Sequence, residues 1–343
     1  MSVLSREKLT HIVLDHGTGG LLSGELIGWI TERLGAAHVG KLEDSAVLGI
    51  GSDRIAVTTD SFVIDPIFFG NGNIGHVAVC GTVNDLAVSG ATPKYLTLAF
   101  VLEAGFPIEQ LEQIVDSIRD TALEAGVVIV AGDTKVVKKG EVDKIFINTA
   151  GVGELDSSKP NFSVSKIKPD DHIIVSSQLG NHSIHILSIR EGLGFETRIL
   201  SDCAPLNKLI AGLTEQFGDT LHCMRDITRG GLGTVLNELA AAVGRDIHVE
   251  ERQLPILHET AMAADMLGVN PLYLANEGNL CLVVDPEHSA AIVERLRQHP
   301  NGQNAAVVGS VSGKPGSTVL LKTANGESRI IEHLQGAELP RLC

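Results

Sequence analysis

Aromatic residues are scarce. Nine Phe, two Tyr and one Trp supply 3% of the 343 positions, too few flat rings for a base-stacking platform that binds single-stranded nucleic acid. Basic residues are outnumbered as well, 27 against 42 acidic, for a formal net charge of −15. Nucleic acid and anionic membrane both reward a basic face, so neither is the main partner. Nucleotides stay open, because a metal ion can sit between carboxylates and phosphates. No apolar run reaches the ~18 residues of a membrane span, and the N-terminal stretch MSVLSREKLTHIVLDHG lacks the apolar centre of a secretory signal. None of the five cysteines has a partner at C-x-x-C spacing, so a zinc ribbon or thioredoxin-type site finds no support. Cys80, Cys203, Cys223 and Cys281 read as small buried hydrophobes in a reducing, cytoplasmic chain. Cys343 differs, because it is the last residue.

What is present is enough apolar sequence for a packed core: 43% of the residues are hydrophobic. The length corresponds to roughly two domains of ~100–200 residues. Short β-branched runs at 55–59, 95–101, 127–131 and 145–149 read as strands. Between the second and third lies a helix. Its apolar face is Ile108, Leu111, Val115, Ile118 and Ala122, with Pro107 in the first turn and Gly126 past the end. Residues 152–171 are polar, contain two prolines, and form the best domain boundary. A second mixed unit follows, with strands at 173–176, 247–249, 280–284 and 305–311. Its helices cover the stretch after Gly230-Gly231 and residues 286–298. The expected division is 1–155, 165–332 and a flexible tail over 333–343, in which Gly336 and Pro340 break regular structure. Mixed strands and helices in both halves predict an α/β (α+β) fold of two layered domains.

Three motifs carry less than they first offer. Gly70–Gly75 matches G-x-G-x-x-G, but residues 90–102 hold no acidic residue to close the next strand, so a dinucleotide site is rejected. Gly313-Lys314 lacks the leading glycine of a P-loop and is followed by Pro315. His182 and His185 lie three apart on a predicted helix without a third ligand in view, and read as a polar helix edge.

The chemistry concentrates in five acidic clusters, read as turns beside apolar runs: Glu43-Asp44, Thr59-Asp60, Asn84-Asp85, Gly132-Asp133-Thr134-Lys135 and Arg225-Asp226. A single Asp of this kind ordinarily caps a helix or a turn. As a set, with Gly, Thr and Lys alongside, they suit Mg²⁺, a hard ion shared between carboxylates and substrate phosphates. Two glycine-rich loops open helices, Gly17-Thr18-Gly19-Gly20 and Arg229-Gly230-Gly231. Bare backbone N–H groups there can cradle phosphate oxygens. Lys135 could hold a phosphate as a point charge.

The segments HGTGG, GTVNDLAVSGATP, AGDTKVV, MRDITRGGL, ANEG and the terminal PRLC together resemble the HypE family, the carbamoyl dehydratases of nickel–iron hydrogenase maturation. The resemblance runs nearly end to end. The wider superfamily of aminoimidazole ribonucleotide synthetase, selenophosphate synthetase and thiamine-monophosphate kinase shares the Asp clusters. AGDTKVV and Pro-Arg-x-Cys are the specific signals. Leu342 stands where Ile is common in the family. The resemblance implies a two-domain fold with N-terminal strands that form a barrel across a homodimer. It implies ATP and Mg²⁺, with Asp44, Asp60, Asp85 and Asp226 on the metal. Gly17, Gly19, Gly20, Thr59, Asp133, Thr134, Asn148, Arg229 and Gly230 would meet the nucleotide. A HypF-type carbamoyltransferase would load the Cys343 thiol, and ATP-driven dehydration would turn the carbamoyl group into a thiocyanate. Glu277 would take a proton and Lys135 would offset phosphoryl charge. The cyanide would pass to a HypC–HypD-type iron assembly complex. Two other readings remain open at this level: another ATP-dependent kinase or synthetase of the superfamily, and a non-catalytic scaffold that presents its tail.

Overall fold

The computed structural model describes residues 10–17, 21–39, 48–158, 160, 162–334 and 341–343 of the chain. Four strands with alternating apolar residues, β1 (Arg54–Phe62), β2 (Thr92–Glu103), β3 (Val128–Val137) and β4 (Ile145–Leu155), form a sheet in the order β1-β4-β2-β3. Pairing is antiparallel except between β2 and β3, which a helical crossover connects. Leu96, Leu98, Phe100 and Leu102 point to the inner face of this sheet. There they pack against α1 (Leu21–Leu34), α2 (Ile74–Val88) and α3 (Ile108–Ala125). The predicted helix is α3, with Pro107 before it and Gly126 closing it in the left-handed conformation, φ 76°.

The second sheet has the order β11-β10-β7-β9-β5-β8-β6. It consists of β5 (His172–Val175), β6 (Leu221–Asp226), β7 (Arg245–Glu250), β8 (Leu280–Val284), β9 (Ala306–Pro315), β10 (Val319–Lys322) and β11 (Ser328–Ile330). Around it lie α4 (Asn181–Glu191), α5 (Asn207–Phe217), α6 (Gly231–Val243), α7 (His258–Leu267) and α8 (Ser289–Arg297). β8 reads LCLVV because both its faces are covered. Cys281 and Val283 join the core under α6, and Leu280, Leu282 and Val284 join the core under α5 and α8.

The two halves meet along α2. Ala87 and Val88 pack with Leu206 and Leu209 of the second half, while Ile186, Leu187, Cys203 and Leu342 pack into the core of the first.

Several expectations are corrected. Asp60 lies inside β1, Asp85 on α2 and Asp133 inside β3 rather than at turns, because β1 and β3 stay paired well past their apolar runs. β4 continues to Leu155, so the polar boundary begins after it. His182 and His185 are no polar edge, with 0% and 1% of their surface exposed. The end of the tail is anchored rather than loose: Val63 N–H donates to the Cys343 carbonyl at 3.0 Å and Asp65 N–H to the Arg341 carbonyl at 3.2 Å. The predicted breaks at Gly336 and Pro340 fall outside the described residues.

Candidate active site

Between the halves lies a cavity of about 590 Å³. β1 supplies Thr59, Asp60 and Ser61, α2 supplies Asp85, the end of β6 supplies Asp226, the turn after it supplies Arg229 and Gly230, and the turn before β8 supplies Glu277. Cys343 lines the cavity as well. Local hydrogen bonds fix the carboxylates. The Thr82 hydroxyl donates to Asp60 at 3.2 Å, and the Thr58 hydroxyl to Asp85 at 2.7 Å. Glycine is required at two turns. A Cβ on Gly231, at φ 61°, would meet the Leu272 carbonyl oxygen at 2.5 Å, and one on Gly278 would meet the Asp202 carbonyl oxygen at 1.8 Å. The second clash explains the glycine of ANEG, whose bare backbone lets the residue after Glu277 lie against the 201–206 loop.

The electrostatics of the cavity are unbalanced. Desolvation, reinforced by Asp202, Asp226, Asp60 and Asp85, pushes the Glu277 carboxyl well up from its ordinary range. Burial and then Asp85 push the Asp226 carboxyl well up, and burial raises Asp202 to about 6. Asp60 is raised by burial and by Asp85, with Arg229 opposing. Glu277 Oε1 and Asp202 Oδ2 are buried without a hydrogen-bond partner. Carboxylates that face one cavity and outnumber Arg229 and Arg341 in its lining fit a hard divalent cation. Among the described residues no three of these carboxylates bring their oxygens within 4.8 Å of one another. That spacing suits an ion that keeps water and phosphate ligands rather than a closed protein cage.

The terminal residues dock with side chains as well as backbone. Arg341 pairs with Asp143 at 2.7 Å and donates to the Val63 carbonyl at 2.7 Å. Leu342 is buried, and its carbonyl lies 2.7 Å from His182 Nε2. A carbonyl only accepts, so Nε2 carries the hydrogen and Nδ1 accepts from the Ser201 hydroxyl at 2.7 Å. Burial pushes the Cys343 thiol up to about 12, with Glu277 adding to it. From an ordinary value near 9, that removes thiolate by about 10³-fold at neutral pH. Iodoacetamide labelling of Cys343, resolved by peptide mass spectrometry at pH 8, should therefore be slow in the wild type. In Asp143→Ala, which loosens the docked end by the ~1 kcal/mol of that ion pair, it should rise by up to about 5-fold; equal rates refute the docking role.

His182 offers a pH signature. Burial lowers it from 6.5 to about 4, so between those values the unfolded chain takes a proton that the folded chain refuses. The stability it contributes is full above pH 6.5 and drains away as pH falls toward 4. The gap in unfolding free energy between wild type and His182→Gln should shrink by up to about 3 kcal/mol over that window. A gap that does not change with pH refutes this.

Other predicted residues lie elsewhere. Asp133, Lys135 and Asn148 sit on the opposite, outer face of the first sheet from Asp60. Lys135 is paired there with Asp133 at 2.7 Å and does not line the cavity. Strand alternation turns Thr134 the other way from its neighbours. Gly17 packs on β3, where a Cβ would approach Val136 N to 2.8 Å. Asn148 links the two faces around edge strand β1 by donating to the Asp60 carbonyl at 2.7 Å. Asp44, Gly19 and Gly20 lie outside the described residues. The sequence reading missed Asp202, Asn84 and the Arg341–Asp143 pair. Asn84-Asp85 and the PRLC end were in view, but nothing local signals Asp202.

The two-sheet fold with its acidic interdomain cavity defines the class. Residues 42–155 match the N-terminal domain and residues 168–322 the C-terminal domain of the AIR synthase related protein family, to which the chain belongs. Within that class it belongs to the HypE carbamoyl dehydratases, the enzymes of hydrogenase maturation that the sequence resembles. It is 42% identical over 329 residues to carbamoyl dehydratase HypE of Azotobacter vinelandii, covering 96% of each chain. It is 40% identical over 345 residues to carbamoyl dehydratase HypE of Escherichia coli K12, covering 98% of this chain and 100% of that one. A crystal structure of HypE in complex with ATP superposes with a TM-score of 0.91 at 41% identity, covering 96% and 99% of the two chains. A HypE–HypF complex gives a TM-score of 0.78 at 44% identity, covering 84% and 92%. Thiamine monophosphate kinase of Aquifex aeolicus, at 18% identity and a TM-score of 0.61, shares the fold alone.

Proposed function

We propose that this chain carries a carbamoyl group on the Cys343 thiol and uses ATP to dehydrate it to a thiocyanate, which supplies cyanide for a nickel–iron hydrogenase. The observation that carries this reading is that Cys343 opens into the same cavity as Asp60, Asp85, Asp226 and Glu277. Substrate carrier and reaction chamber are then parts of one chain. A partner carbamoyltransferase of the HypF kind loads the thiol and a HypC–HypD-type complex takes the cyanide, in the cytoplasm.

Loading requires the end to leave its dock, and the energetics allow it. Burying Leu342 stabilises the docked end by ~2 kcal/mol, the part-exposed Arg341–Asp143 pair by ~1, and the backbone hydrogen bonds by about 1 each. Fixing three residues costs ~1–2 kcal/mol apiece. With the His182 and Arg341 side-chain hydrogen bonds added, the docked state is favoured by a few kcal/mol, and the end at 341–343 leaves its dock in a minor fraction of molecules.

In the chamber, γ-phosphoryl transfer to the carbamoyl oxygen makes that oxygen a leaving group. The C–O bond then breaks, phosphate departs, and both N–H protons are lost to leave the C≡N bond. Glu277 takes one of them. Asp60, Asp85 and Asp226, with Asp44, would hold Mg²⁺, which when bound offsets the carboxylate charge and the charge of the phosphate oxygens. Arg229 and the Gly230 backbone steady phosphate at the start of α6.

The outer face of the first sheet leaves Ile55 45% and Val57 65% exposed. We assign it to a homodimer in which the two sheets close into a barrel. That closure would bring Lys135, Asp133, Asn148 and Gly17 toward the nucleotide of the joined sites.

The test is mass spectrometry of the C-terminal peptide after carbamoylation by the partner enzyme. Loss of one water only when ATP is present is the expected result; a carbamoylated peptide unchanged by ATP refutes the reading.

A further inference from the structure

We propose that His76, Cys80 and Cys203 form a thiolate–imidazole site for a borderline divalent ion of the Zn²⁺ class, tying α2 to the loop that carries Asp202. One potential ligand atom from each residue lies within 4.8 Å of the others. A tetrahedral zinc ion with Zn–S bonds of ~2.3 Å places its donors about 3.5–4 Å apart, so small side-chain adjustments close the site.

The fold supplies the pre-organisation. His76 and Cys80 are four apart on one face of α2. Cys203 arrives from the loop between α4 and α5, and Asn84 of the same α2 holds that loop in place. Its Oδ1 accepts from Leu206 N–H at 2.7 Å, and its Nδ2 donates to the Ala204 carbonyl at 3.1 Å. Cys80 is fully buried, Cys203 is 8% exposed, and His76 is half-buried. An ion therefore enters from the His76 side and keeps one position for water, as three protein ligands leave open.

The donor set separates this site from the acidic cavity. Two sulfurs and an imidazole select zinc-like ions, whereas the carboxylates favour Mg²⁺. Binding exchanges the two thiol protons for the ion, and both protons leave to solvent. The loop so fastened also holds Glu277. Asp202 Oδ1 accepts from Glu277 N–H at 3.0 Å, and Ala204 N–H donates to the Glu277 carbonyl at 3.5 Å. An ion here steadies the backbone of Glu277 from behind without entering the cavity.

The test uses the full-length reduced protein titrated with Co²⁺ and then Zn²⁺. Expected are one Co²⁺ per chain, a sulfur-to-metal charge-transfer band with tetrahedral visible bands, and their loss on Zn²⁺ displacement. Cys80→Ser and Cys203→Ser should each lose the band, while Cys223→Ser and Cys343→Ser keep it. His76→Ala should weaken binding at least ~10-fold, since even partners behind the ligands are worth ~10–100-fold. Should a cysteine variant fail to fold, His76→Ala and the zinc stoichiometry of the wild type decide. Absence of the band, or its survival in both cysteine variants, overturns the proposal. So does an oxidised Cys80–Cys203 pair in a chain that binds no metal. None of these readouts depends on dehydratase activity.

Discussion

Cys343→Ser should abolish thiocyanate formation while leaving the chain folded. The side chain lies at the cavity wall rather than in the core, and the docked backbone is held by Arg341, Leu342 and Val63. Replacing sulfur by oxygen therefore changes chemistry more than packing. The thiol is the far better nucleophile once a partner supplies its thiolate, and a serine hydroxyl near neutral pH offers almost no alkoxide. Carbamoylation of the terminal peptide should fall by at least about 10³-fold, and the ATP-dependent loss of water should vanish with it. The measurement is intact-protein mass spectrometry with the partner enzyme and ATP, with circular dichroism confirming the fold. A serine variant that still turns over small carbamoyl substrates at the wild-type rate would favour a small-molecule enzyme of the same superfamily. That result would remove the self-carrying reading.

Glu277→Gln separates loading from dehydration. Gln matches the volume and carries none of the negative charge that burial and four neighbouring carboxylates disfavour at Glu277. The variant should thus fold at least as well as the wild type and accept the carbamoyl group at an unchanged rate. Dehydration needs a base, and its loss costs ~10²–10⁴-fold. Single-turnover dehydration of the pre-carbamoylated protein is the readout. The wild-type rate should rise with pH as Glu277 ionises, and that acid limb should be missing in the variant. Normal dehydration in Glu277→Gln would assign the proton to another group and leave the orphaned Oε1 without a role.

The structure explains why some of this was legible and some was not. Helix α3 was readable because one face is solvent and the other core, so Ile108, Leu111, Val115, Ile118 and Ala122 repeat at helical spacing. Helix α2 gave no such pattern. It is covered on both sides by the two halves of the molecule, so its apolar residues run around it and hide its period. The same burial makes β8 a continuous apolar run. The strand ends were underestimated because polar residues such as Asp60 and Asp133 continue hydrogen-bonded ladders that only a paired neighbour reveals. The buried His182 looked like an edge for the same reason: its partner, the Leu342 carbonyl, lies 160 residues away.

Composition and motif order by themselves determined the class of chemistry: oxygen ligands, glycine turns and one terminal sulfur, in a chain without stacking rings or a basic face. Those properties are local, since each depends on what a residue is and on its near neighbours. Only the tertiary structure decided which of the acids share a cavity, that Lys135 lies across the sheet from them, and that Asp202 braces Glu277 while Cys203 meets His76 and Cys80. Distances and burial arise from packing segments far apart in the chain, and a linear sequence does not carry that information residue by residue.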